Sequence, residues 1–174
     1  MTGAMGSHQS ARAKSTTWLT PRHILEDLGP FDLDPCAAPG WPTADRMITL
    51  PQDGLTAVRG GRVWLNPPYS FAAWEWLAKL ADHGTGTALI FARTETAGFA
   101  SEVWGKATAL RFLHGRLYFH HADGTRAAAN SGAPSVLVAY GDGDAKKLQE
   151  STLPGTYVRL DDRCCGRQRS RALA

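Results

Sequence analysis

Cysteine is scarce in this 174-residue chain: Cys36, Cys164 and Cys165 are the three present, and none stands in Cys-x-x-Cys spacing with another. An odd, unpatterned set of this kind excludes a disulfide framework and a four-ligand zinc site, so free thiols are expected. Long apolar runs are missing too. No stretch approaches the roughly 18 residues that a membrane span needs, and the first fifteen residues lack the hydrophobic core of a secretory signal. The expectations are no membrane contact and a cytoplasmic setting. Neither sign of charge dominates; a net charge of +3 and a pI near 8.9 permit a polyanionic partner without requiring one. There is no internal repeat and no obvious linker, and 43% apolar residues over this length suffice for one domain with its own core.

Residues 1–15 are small, polar and aperiodic and form an expected flexible segment; "GAMGS" within it suits a natural start or a cloning remnant. Residues 16–160 are the expected single domain, followed by a basic tail over 161–174. Arg159, Arg163, Arg167, Arg169 and Arg171 crowd the last sixteen residues, which fits either a solvated end or a contact with phosphates.

Within the domain, "TPRHILEDLG" predicts a short helix, with Thr20 as cap, Pro21 at the first position and Gly29 in a left-handed C-terminal position. "FDLD" (31–34) and "RVWL" (62–65) are expected strands, each stopped by a proline. Ser70 is placed to cap a helix with Trp74, Leu77, Ala78 and Ala81 at helical spacing and Gly84 at its end. "ALIFA" (88–92) predicts a strand covered on both faces, and Phe99, Val103 and Trp104 a further helix. "ALRFL", "RLYF" and "PSVLVAY" complete the pattern as three late strands. The order predicts an open, mostly parallel α/β sheet ending in an antiparallel hairpin. Ligands in such sheets bind at the carboxyl ends of the strands, which directs attention to the loops starting at Asp34, Asn66 and Arg93.

The loop at Asn66 reads Asn-Pro-Pro-Tyr. Pro67 and Pro68 fix two φ angles and carry no N–H, so the corner exposes carbonyl oxygens without neighbouring donors. The Asn66 side-chain oxygen beside the Pro67 carbonyl can accept both hydrogens of one amino group. An aromatic amine such as adenine N6 is a poor nucleophile because its lone pair is delocalised; two acceptors on its hydrogens favour the pyramidal form that frees it. Tyr69 offers a ring for a planar base, a stack worth about 1–3 kcal/mol. An ordinary strand-to-helix turn, with Tyr69 covering the core, is the plainer explanation of the same four residues.

The tetrapeptide resembles the (Asn/Asp/Ser)-Pro-Pro-(Tyr/Phe/Trp) motif of amino-methyltransferases that use S-adenosylmethionine. More closely, residues 15–141 resemble the compact, phage-encoded, Dam-like DNA N6-adenine methyltransferases. Trp-x-Thr-Pro (Trp18, Thr20, Pro21), Asp-x-Cys-Ala (Asp34, Cys36, Ala37), Asp-Gly-Leu (Asp53, Gly54, Leu55) and Gly-Arg-Leu-x-Phe (Gly115, Arg116, Leu117, Phe119) carry this likeness around the Asn-Pro-Pro-Tyr corner. The resemblance implies a Rossmann-like methyltransferase fold, abbreviated because only 31 residues separate Asp34 from Asn66. It implies catalysis by Asn66, Pro67, Pro68 and Tyr69. It further implies that Asp34, Pro35, Cys36 and Ala37 hold the methionine end of the cofactor, that Trp18, Thr20 and Pro21 close over it, and that Asp53 meets its adenine. Asp45 is a weaker candidate for its ribose. An Ala-Pro-Gly sequence stands at 38–40 where related enzymes often have Gly-x-Gly.

The implied reaction is direct displacement of the sulfonium methyl, needing neither metal nor cysteine; a Cys36 nucleophile is disfavoured because the amine corner is complete. DNA is the implied partner, and oligomeric state is left open. Arg111, Arg116 and Arg126 are the candidates for phosphates, with His120, His121 and Asn130 for base edges, in a segment (114–134) that is equally readable as a polar hairpin turn. His120 and His121 lack a third ligand at metal-binding spacing. The rival functions are methylation of an RNA base or a protein glutamine, and a nucleic-acid-binding module with a degenerate cofactor site.

Overall fold

The computed structural model describes residues 17–160; the expected N-terminal segment and the basic tail, with Cys164 and Cys165, lie outside them. Seven strands form one sheet in the order β2-β1-β3-β4-β6-β5-β7. β1 (Leu33–Asp34), β2 (Arg46–Met47), β3 (Val63–Leu65) and β4 (Gly86–Phe91) are mutually parallel along one side. β6 (Ser135–Tyr140) runs antiparallel to both β4 and β5 (Ala109–Leu113), and β7 (Gly155–Arg159) is antiparallel to β5. The chain is thus mixed α/β, parallel at one end of the sheet and antiparallel at the other.

The sheet is covered on both faces, and the side-chain alternation of its strands sorts residues between them. Val63, Leu65, Ala88, Ile90, Val136, Val138 and Tyr140 face α2 (Ala73–His83) and a helical stretch in which α3 (Ala97–Phe99) continues as a π-helical turn over Ala100–Trp104. Trp64, Leu89, Leu137 and Ala139 face α1 (Arg22–Leu28) and α4 (Asp142–Glu150) on the other side. Residues of "ALIFA" and "SVLVAY" are buried on both faces, which is why these runs are continuously apolar. Each fully buried Leu or Ile contributes about 1.5–3 kcal/mol.

Several expectations need correction. Thr20 and Ser70 cap no helix: α1 and α2 begin at Arg22 and Ala73 without a side-chain cap, and Gly29 is extended rather than left-handed. Gly84, with φ 78°, does end α2 as expected. The stripe α2 buries is Trp76, Leu77 and Leu80. "RLYF" is not a strand; its carbonyls at Leu117 and Phe119 accept from Ser131 and Ala127 in a local loop. β2, α4 and β7 are additional elements. α4 is anchored by buried Asp144, whose Oδ1 accepts from Arg62 Nε and Thr87 Oγ1, both at 2.8 Å.

Arg111 is the remaining correction. It lies in β5, is 9% exposed, and donates from Nε and Nη2 to the Leu153 carbonyl and from Nη1 to the Leu148 carbonyl. The latter is one of the orphan carbonyls at the end of α4. The guanidinium is committed to the fold rather than offered to phosphates. Arg111→Met therefore lowers stability by about 2–4 kcal/mol, because two buried acceptors lose a charged donor. Denaturant titration checks this; a variant as stable as the parent contradicts the structural role.

Candidate active site

β1 and β3 are parallel neighbours, so their carboxyl ends, Asp34 and Asn66, open on the same edge of the sheet. A cavity of about 550 Å3 lies there, within the range of small-molecule sites (roughly 300–1,000 Å3). Trp18, Thr20, Asp34, Pro35, Cys36, Ala37, Asp53, Asn66, Pro67, Pro68 and Tyr69 all line it. Four motifs far apart in sequence thus meet in one space. Pro21 and Asp45 do not line it, and neither does any residue of the loop starting at Arg93.

Asn66 is held by its amide. Nδ2 donates to the Trp18 carbonyl at 2.8 Å and to Thr20 Oγ1 at 3.2 Å. A carbonyl can only accept, so this contact fixes which end of the amide is nitrogen. Oδ1 is left enclosed and without a partner among the described residues. The Pro67 carbonyl receives no hydrogen bond from the described residues, whereas that of Pro68 accepts from Ser70 N. Two acceptors at the corner are therefore uncommitted, at a cost that a bound donor would remove. Thr20, misread as a helix cap, instead orients the catalytic candidate.

Tyr69 stacks on Phe91, with ring centroids 4.2 Å apart and planes at 22°, and meets Phe119 edge-on at 5.8 Å. Burial pushes its phenol well above the ordinary value and its hydroxyl finds no partner, so it is a neutral ring rather than a base. Cys36 points its thiol at the Asn66 carbonyl, 3.3 Å away. Burial, and then the Asp34 carboxylate, raise the thiol further from ionisation. A protonated, enclosed thiol is a poor nucleophile.

Asp34 is 3% exposed and accepts from Cys36 N (2.9 Å) and Thr43 Oγ1 (2.6 Å). Burial outweighs those two bonds and pushes its carboxyl up to about 6. No described cation pairs with it. At neutral pH it is a mostly ionised carboxylate facing a cavity without a counter-charge, which suits a cationic ligand. Asp53 Oδ1 accepts from Leu55 N at 2.8 Å and so shapes its own loop. Gly54 is required next to it, since a Cβ there would overlap the Pro35 carbonyl. The Asp-Gly-Leu segment is thereby pressed against the loop that follows β1.

Trp41, Thr43 and Trp76 also line the cavity and were not anticipated. Trp41 Nε1 donates to the Thr20 carbonyl at 2.9 Å and its ring lies under Arg22, so it braces the segment that orients Asn66. Nothing in "PGWPT" signals these contacts, which exist only once the first loop folds back on residue 20. Among the described residues no group of His, Cys, Asp and Glu is arranged to hold a metal, and no helix is long and apolar enough to cross a membrane.

A family model described as DNA N-6-adenine-methyltransferase (Dam) matches residues 7–163. No curated protein and no solved structure matches the chain. With nine-tenths of the sequence under that one match, the chain belongs to the Dam family of adenine-specific DNA methyltransferases.

Proposed function

We propose that the cavity binds S-adenosylmethionine beside Asp34 and receives an extruded adenine at the Asn66–Tyr69 corner, for direct methylation of N6. The observation that carries this is the orientation of Asn66: its nitrogen is consumed by Trp18 and Thr20, and its oxygen is left without a partner. The sheet then corresponds to an abbreviated Rossmann-like methyltransferase fold, and the expected setting is cytoplasmic.

The donor set fits the cofactor. An unpaired carboxylate at Asp34 answers its amino group, small Ala37 and Ala38 allow close backbone approach, and Trp18 and Thr20 wall the methionine side. Asp53 is near enough to the cavity to meet the cofactor's adenine. S-adenosylmethionine supplies a methyl group on a cationic sulfur. Asn66 Oδ1 and the Pro67 carbonyl would accept the two N6 hydrogens and hold the amine pyramidal with its lone pair free toward the cofactor side of the cavity, and the surplus N6 proton would leave to water. Because Oδ1 is enclosed, the base reaches it only as covering atoms move aside. A base laid on Tyr69 extends the Tyr69–Phe91 stack and offsets part of the few kcal/mol needed to leave the duplex.

The ring rather than the hydroxyl of Tyr69 does this, so Tyr69→Phe retains activity within about threefold, while Tyr69→Ala loses most on duplex substrate. Equal loss in both variants, measured as initial rates, contradicts the stacking role. The function itself is tested with labelled S-adenosylmethionine offered to DNA, RNA and a glutamine-containing protein side by side. Label in DNA alone supports the proposal; transfer to RNA or protein in preference to DNA overturns it.

A further inference from the structure

A second concavity, of about 400 Å3, lies beside the segment that orients Asn66, and Pro21, His23, Arg116, Tyr118, His120 and Arg126 are among its walls. It shares that segment with the cavity: Thr20 faces the cavity, while Pro21 and His120 face the second space. Leu19 and His120 pair their backbones in both directions, at 2.9 and 3.0 Å, and His120 bridges in turn to Arg126. The tight turn between His121 and Thr125, with Gly124 at φ 84°, sets this register. Arg126 therefore stands across from His120, and its guanidinium lies 4.2 Å from the centre of the Tyr118 ring.

The charge here is one-sided. Among the described residues no acid lines the concavity, and neither Arg116 nor Arg126 enters an ion pair or hydrogen bond. Asp123, the nearest acid in the turn, has its Oδ1 occupied by Thr125 N and Oγ1. His120 Nδ1 is enclosed and unpartnered, and the ring is held against Trp41 with centroids 5.2 Å apart. Two exposed guanidinium forks, one pre-oriented by an aromatic face, together with an unsatisfied imidazole nitrogen, match a tetrahedral anion with several acceptor oxygens.

We infer that this concavity seats a backbone phosphate of the substrate DNA, gripped by Arg116 and Arg126 with His120 at its inner wall, next to the base site. The inference rests on DNA being the substrate that enters the cavity. Such a contact positions the strand and carries no sequence information. It would also hold the DNA in register with Asn66. Arg111, the third arginine of the same stretch, takes no part because the fold consumes it.

The test is duplex DNA affinity measured from 50 to 200 mM salt for the parent, Arg116→Ala, Arg126→Ala and the double variant. Each phosphate contact contributes about 0.9 to the log–log salt slope. The double variant is expected to lose about that amount and each single variant part of it, with affinity for S-adenosylhomocysteine unchanged and Lys at either position restoring most of the slope. Both arginines are exposed, so the variants keep the fold; an unchanged melting temperature confirms it. Slopes equal to the parent's overturn the inference, as does a slope lost equally in the Lys variants. The outcomes separate from those of the proposed function: parent protein that binds DNA with the expected slope but transfers no methyl group refutes the function alone, and a methylating enzyme with unaltered slopes refutes the phosphate site alone.

Discussion

Asn66→Ala is expected to lower methyl transfer to DNA about 10^3-fold while changing cofactor affinity by less than about threefold. The size follows from what the side chain supplies. Removing one preorganised polar group aimed at a reacting atom typically costs 10^2–10^3 in rate, and here the group also holds the amine in its reactive shape. Asp34, the counter-charge for the cofactor's amino group, accepts from Cys36 N and Thr43 Oγ1 and not from the Asn66 side chain, so it is untouched by the change. Loss of the two bonds from Nδ2 to Trp18 and Thr20 costs about 1–3 kcal/mol of stability, less than the roughly 5–15 kcal/mol typical of a folded domain, so the variant stays folded. Single-turnover rates and calorimetry with S-adenosylhomocysteine separate the two effects. A variant that retains a tenth or more of the parental rate contradicts the role of the amide oxygen.

Asp34→Asn is expected to divide binding from stability. In the folded chain the carboxyl ionises near pH 6 rather than at its ordinary 3.8. The folded state therefore favours the protonated form, and the stability this group contributes is fully present below about pH 4 and lost as pH rises through about 6. Asparagine removes that buried charge yet can still accept from Cys36 N and donate to Thr43 Oγ1. The ligand-free variant should match or exceed the parent at pH 8, by up to about 1–3 kcal/mol. Cofactor affinity should fall at least about tenfold, because the cationic amino group loses its counter-charge. The parent should bind S-adenosylhomocysteine more tightly as pH rises from 5 to 7, and the variant should show a flatter profile. Unchanged affinity, or the same pH dependence in both proteins, removes Asp34 from the cofactor site.

Much of the site is legible in sequence because it rests on backbone rules. Pro67 and Pro68 carry no N–H and so end β3, leaving the Pro67 carbonyl without a donor among the described residues, and only glycine fits at position 54, where the Pro35 carbonyl passes close. The doubly covered strands β4 and β6 are legible for a similar reason, since a run with no polar alternation has only a sandwiched position to occupy. What escaped depends on partners that only the fold supplies. Thr20 looks like a cap because Thr-Pro often starts a helix, yet its hydroxyl is taken by an amide 46 positions away. Arg111 looks like a surface cation, and only the approach of α4 and the turn at Leu153 provides the carbonyls that consume it. "RLYF" alternates as a strand does, but its neighbours in space come from its own loop. Trp41 and Thr43 carry no pattern at all; they matter because one sits against Thr20 and the other against Asp34.

The central claim is that Asn66 and Pro67 present an adenine amine, and no other acceptor, to the sulfonium methyl. Unmethylated DNA incubated with the protein and methyl-labelled S-adenosylmethionine, then digested to nucleosides, tests it most directly. All of the label should be found in N6-methyldeoxyadenosine, with about a thousandth as much in the same time when Asn66 is Ala; label in a cytosine derivative, or undiminished label with the variant, would contradict it.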